Sequence, residues 1–456
     1  MRIASITLRL GTAISLGVAL AVSAAEPNEN WPQWRGPHLN GASTTAQGLP
    51  VRWSETENVV WRTKLPSWSA ATPIIWGDTV FVTSAEEGFS TTGEGGTVRQ
   101  AVRSALSKLN GYDDILLLAI NRKDGAIRWQ KVIGESNTMQ MKQNMASPSP
   151  VTDGKHVWTM TGTGRLACFD FAANQIWQRS IQEEYGNFGL NFGYGSSPLL
   201  HDGVLYIEVL HGMKTDEPSY VFAADAATGR TIWKQNRPTD AEAESPDSYS
   251  TPVVQQINGE TRLIVAGGGY VTAHDLKTGK EIWRGGGLIP NNEGNYRTIA
   301  SAVVVNDIVL TPSRRRPFLA YRGGGRGDVT RTHQLWSTDY GPDVPTPATD
   351  GERLYIVDDK GIALCLRVND GSLVWDRSRL EEGTYSASPL LADGKIYAIS
   401  EEGTTTVFKA GDKFEILSVN KLNNYTLASP AVAHNQIFIR TADYLYCIGK
   451  PGAPTD

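Results

Sequence analysis

Three sets of side chains have the type and spacing to bind something. Glu293, Asn295, Tyr296 and Arg297, preceded by Asn291 and Asn292, put carboxylate and amide oxygens beside a guanidinium within a few residues. Oxygen donors of this kind suit a calcium ion, and the guanidinium suits an anion. Arg314, Arg315 and Arg316 follow the run Leu310-Thr311-Pro312; their planar forked donors match a carboxylate, a phosphate or an acidic glycan. The third set is aromatic. Tyr194, Tyr249, Tyr385, Tyr425 and Trp68 each stand a few residues before a Ser/Thr-Pro pair. That recurrence places them around one opening, where rings stack on sugars or planar ligands, although repetition equally suits packing. No catalytic residue emerges. There is no G-x-S-x-G nucleophile elbow, and the seven histidines lack metal-ligand spacing. Cys168, Cys365 and Cys447 stand in L-A-C-F, A-L-C-L and L-Y-C-I. They share one place in three separated segments, too far apart for disulfides, and read as small buried core residues.

The elements that must position these groups repeat along the chain. Residues 224–233 read A-D-A-A-T-G-R-T-I-W and residues 274–283 read H-D-L-K-T-G-K-E-I-W. Tryptophans recur at Trp61, Trp129, Trp177, Trp233, Trp283, Trp336 and Trp375, with Leu417 assigned to an eighth place. Alternating with them are Thr72-Pro73, Ser147-Pro148, Ser197-Pro198, Ser301-Ala302 and their counterparts. Within residues 386–420 four short apolar runs are separated by Asp393-Gly394, a polar loop and Gly411-Asp412. Four strands per repeat at a spacing of about 40–50 residues is the pattern of a propeller blade. The expectation is an all-β, eight-bladed β-propeller of four-stranded antiparallel blades. The last blade lacks its fourth strand, and the segment carrying Trp61 supplies it, closing the ring. Each tryptophan is expected to dock against the neighbouring blade; burying about 200 Å² of indole is worth roughly 5 kcal/mol.

In such a meander the first-to-second and third-to-fourth turns share one face. The second-to-third loops and the links between blades share the other. The second set is the longer here, including 84–114, 134–144, 182–195, 236–249 and 285–298. Binding is therefore expected on that long-loop face.

Residues 1–25 carry Arg2 and Arg9, an apolar run and Val22-Ser23-Ala24, the pattern of a cleaved export signal. Residues 26–53 form an N-terminal extension, 54–450 the propeller and 451–456 a tail. The apolar run is short for a membrane span, and no lipid-accepting cysteine follows it. The reading is a periplasmic or secreted protein. The formal charge is −5, becoming −7 without Arg2 and Arg9, which argues against nucleic acid as a partner.

The motif D-x-x-T-G-[KR]-x-x-W, met by residues 225–233 and 275–283, resembles the repeat of pyrroloquinoline-quinone (PQQ) type propellers. The segment W-P-Q-W-R-G-P at 31–37 is similar to the opening of many exported proteins of this group. The resemblance spans residues 54–449 and implies eight blades. The family holds quinoprotein dehydrogenases and non-catalytic relatives such as the BamB-like subunit of outer-membrane protein assembly. The adjacent cysteines of the dehydrogenases and the lipidated cysteine of the BamB-like lipoproteins are both missing here. The expectation is a non-catalytic binding or scaffolding module with a protein or glycan partner and no cofactor. The alternative is an oxidoreductase using PQQ and calcium. A carbohydrate-binding propeller is the third reading.

Overall fold

The computed structural model describes residues 30–86 and 113–450. The expected export signal at 1–25, most of the 84–114 insertion and the 451–456 tail lie outside the described residues. Eight antiparallel four-stranded sheets form the ring. Blades 1 to 7 occupy 74–137, 151–180, 199–236, 253–285, 303–338, 348–379 and 390–421. Blade 8 takes Ala431–Ala433, Gln436–Arg440 and Tyr444–Ile448, and Val59–Lys64 is its outer strand. There Trp61 stands opposite Cys447. The N-terminal strand thus closes the ring, leaving no unpaired edge at the seam.

The outer strands explain the tryptophan repeat. In seven of the eight blades the pairing of the third and fourth strands skips one residue of the fourth, and the tryptophan follows that bulge. Its indole N–H donates to a carbonyl of the next blade: Trp61 to Arg122 at 2.7 Å, Trp177 to Ala226 at 2.9 Å, Trp233 to Leu276 at 2.8 Å and Trp336 to Val368 at 2.9 Å. Trp129 and Trp375 reach Phe171 and Gly411 in the same way. Trp283 instead lies wholly buried, with Gly327–Asp328 of an insertion in blade 5 running parallel beside it. At four of these joints the glycine of the turn lies directly under the neighbour's indole: Gly125 under Trp61, Gly229 under Trp177, Gly279 under Trp233 and Gly371 under Trp336. At Gly279, where φ is +69°, a Cβ would come within 2.3 Å of the Trp233 ring.

Two details of register correct the pattern. In blade 7 the residue after the bulge is Ser418, opposite Val407, and Leu417 is the skipped residue. The missing ring comes from the N-terminal extension: Trp53 stacks on Tyr397 with ring centroids 6.1 Å apart, the separation at which the tilted Trp233 ring meets Tyr206. Ser418 holds it there by donating to the Val51 carbonyl, and the Trp53 amide donates to Asn420 at 2.9 Å. In blade 2 the inner strand opens at Ser149-Pro150 rather than Ser147-Pro148. The Thr72 amide donates to Ser149 Oγ, the Ser149 amide to Ser197 Oγ, and so on through Thr251, Ser301, Thr346, Ser388 and Ser429 at 2.8–3.1 Å. These amide-to-hydroxyl links stitch seven blade junctions around the channel among the described residues. At the eighth junction the buried Arg440 guanidinium donates to the carbonyls of Ser67 and Ser69.

The N-terminal extension also crosses the channel. Asn30 accepts from the Gly77 amide in a short turn of blade 1, Pro32 from Thr152 in blade 2, and the Gln33 side chain from Leu200 in blade 3. Two residues later the buried Arg35 donates to the carbonyls of Pro347 at 2.5 Å and Pro389 at 2.9 Å, in blades 6 and 7. Ala42–Ser43 then pairs in parallel with the inner strand of blade 7. The strap therefore spans the axis on the short-turn face, with Trp34 at the crossing.

Candidate functional site

Because the strap closes one end, the channel is a blind cup opening on the long-loop face. Its volume is about 420 Å³. Trp34 forms the floor, and hydroxyls of the Ser/Thr ring, such as Ser197, Thr251 and Ser388, line the wall. The mouth is apolar and half-buried at Phe192, Tyr249, Ile299, Val344 and Leu427. Above it Met141, two-thirds exposed, tips the small hairpin of Met139–Gln140 and Gln143–Asn144.

Charges surround this mouth in compensated groups. Lys142 donates to Glu401 at 2.6 Å, and Glu401 also accepts from Ser386 and Tyr425. Across the opening, Arg297 lies between Glu244 at 3.7 Å and Asp343 at 3.9 Å, with its guanidinium 5.0 Å over the Phe192 ring. Asp343 also faces Arg314 at 3.7 Å. Burial, and then the neighbouring Asp343 carboxylate, push Asp359 up to about 6, while the amides of Val344 and Asp343 donate to it and oppose the shift. The arrangement offers an apolar centre and a charged rim.

The two polar stretches singled out in the sequence meet in a second cavity of about 520 Å³ beside the cup. Glu293, Asn295 and Tyr296 come from the link between blades 4 and 5, and Arg314, Arg315 and Arg316 from the second-to-third loop of blade 5. The Arg314 guanidinium donates to the Asn295 carbonyl, and the Tyr296 hydroxyl donates to the Arg316 carbonyl at 2.8 Å. Arg297 turns away into the cup.

The tyrosines divide. Tyr249 lines the mouth, where its hydroxyl accepts from the Phe192 amide at 2.9 Å. Tyr194 and Tyr385 do not face the channel. They are fully buried, their hydroxyls donating to the carbonyls of Glu208 and Glu381, because their rings turn into the layer between loop and blade. The cysteines are buried, and burial pushes the thiols of Cys168 and Cys365 up to about 12, removing any nucleophilic role at neutral pH. Sequence reasoning missed Trp34, Met141 and the Lys142–Glu401 pair. The pointer to Trp34 was available in W-P-Q-W-R-G-P, a rigid polar-flanked segment with two tryptophans.

The family described as outer membrane protein assembly factor BamB matches residues 40–235 and 193–377. The chain belongs to this BamB family of PQQ-type repeat propellers. A BamB of Yersinia pestis is 24% identical over 336 residues, 71% of this chain and 77% of that protein. The crystal structure of BamB from Moraxella catarrhalis superposes with a TM-score of 0.56 at 11% identity, covering 85% of this chain and 99% of that one. The quinohemoprotein alcohol dehydrogenase of Comamonas testosteroni gives a TM-score of 0.64 at 11% identity over 94% of this chain and 82% of its own. These two structures share the fold of this BamB-family chain; at such identity the likeness extends no further. Among the described residues no helix is long and apolar enough to cross a membrane.

Proposed function

We propose that this BamB-family chain is a non-catalytic, protein-binding propeller of the bacterial periplasm, engaging its partner through the long-loop face. The observation that carries this reading is the blind cup. Its mouth combines an exposed methionine and half-buried aromatic and aliphatic side chains with a rim of paired charges, the anatomy of a protein interface. An apolar anchor from a partner would fill the centre, and the rim pairs would fix its orientation. The membership in a family named for outer-membrane protein assembly, and the export pattern of residues 1–25, agree with this reading.

The charge balance of the cup favours this reading over one with PQQ. A quinone bearing three carboxylates needs cations, yet Lys142 and Arg297 already face Glu401, Glu244 and Asp343, and the lining adds Asp359. The glycan reading loses the stacking platform of Tyr194 and Tyr385 to burial. Calorimetric titration of the purified chain with PQQ, with and without calcium, tests the non-catalytic reading. No binding at high micromolar quinone is expected; tight one-to-one binding would replace this reading with the oxidoreductase one.

A further inference from the structure

The second cavity presents two exposed arginines in an acidic chain. Arg315 and Arg316 are exposed, and neither takes part in an ion pair seen among the described residues, whereas Arg314 is committed to Asp343 and the Asn295 carbonyl. The loop that carries them is held, not free. The Arg316 amide donates to the Arg314 carbonyl at 3.1 Å, and the Tyr296 hydroxyl grips the Arg316 carbonyl. Arg315 itself sits at φ +78°, in the left-handed region that L residues other than Gly, Asn and Asp seldom adopt. On the facing wall, Asn291 and Asn292 also take positive φ, at 51° and 53°. Two turns held in the left-handed region thus build a cleft with two forked donors facing solvent.

We infer that this cleft docks an acidic segment of the protein partner, a stretch with spaced carboxylates. The inference rests on the reading of the long-loop face as a protein-binding surface. Guanidinium forks match carboxylates in pairs. The cavity, about 520 Å³, is roomy enough for a length of peptide rather than one small ion. Glu293 and Asp339 in the same lining disfavour a dense polyanion or an anionic bilayer and leave room for separated carboxylates. Through Arg314 and Asp343 the cleft shares a wall with the cup, so one partner can occupy both.

The test is fluorescence anisotropy of the full chain with a labelled peptide alternating glutamate and serine, against the same peptide with glutamine. The glutamate peptide should bind and weaken with salt, and Arg315→Glu with Arg316→Glu should weaken it about tenfold or more. Arg331→Glu, a single charge reversal on the short-turn face, should leave it unchanged. Because Arg315 stands at positive φ, Arg315→Gly removes the charge while keeping the loop conformation, and it should also weaken binding. Equal loss in Arg331→Glu, equal binding of the glutamine peptide, or no binding would overturn the inference. So would binding of phosphatidylglycerol vesicles through the same arginines with no binding of the peptide. If the peptide fails while a partner still crosslinks at the cup, this inference falls alone and the protein-binding reading stands.

Discussion

Glu208 has no exposure at all, and only one of its carboxylate oxygens has a partner, the Ser250 hydroxyl at 2.6 Å. Arg237, the nearest cation, spends its donors on Thr272 and on the carbonyls of Gly267 and Tyr270. Burial pushes the Glu208 carboxyl up to about 8, with Ser250 and Arg237 opposing. The unfolded value is about 4.3. Between these two values the folded state binds more protons than the unfolded one, so stability falls as pH rises from about 4.3 to about 8 and levels off above. Glu208→Gln removes this dependence. Urea unfolding of both proteins should show the variant gaining on the parent by about 1–3 kcal/mol between pH 5 and pH 8; parallel pH profiles would refute it. This residue was not legible in V-L-Y-I-E-V, because both faces of a propeller strand are covered by neighbouring blades. Alternation then no longer separates inside from outside. The polar stretches 293–297 and 314–316 were legible as candidates by type, but nothing local says that the two loops converge.

At the scale of elements, the indole of one blade and the glycine of the next are a single joint. Trp233→Ala should cost about 3–5 kcal/mol in chemical unfolding through lost burial and the cavity left behind. Gly279→Ala should cost about 1–3 kcal/mol from the other side of the joint, since its methyl meets the ring and its φ is positive. The double variant should cost less than the sum, because the two act on one contact; strict additivity would break the joint into two unrelated features. The tryptophans and glycines were readable because each repeat needs the same joint. The exceptions were not. The apolar pattern points to Leu417 where the structure has Ser418, because a bulge shifts register without changing composition, and the tandem S-P-S-P at 147–150 offers two equivalent starts for one strand. Only the hydroxyl ring selects Ser149.

For the whole molecule, the count of eight blades and closure by the N-terminal strand followed from the repeats alone, since a missing outer strand at one end needs a spare at the other. Meander geometry also places the longer loops together on one face. What the repeats could not contain is the strap, which belongs to no repeat and makes the channel one-ended. With Trp34 across the axis and Trp53 completing blade 7, residues 30–53 turn a symmetric ring into one whose channel opens on a single face. The direct test is site-specific photo-crosslinking in the exporting cell, with the photoreactive residue at Met141 beside the cup or at Asp350 in a short turn of the opposite face. The account predicts a discrete protein adduct from position 141, lost on charge reversal of Arg297, and none from position 350. Adducts from position 350 alone, or the same adducts from both faces, would contradict it.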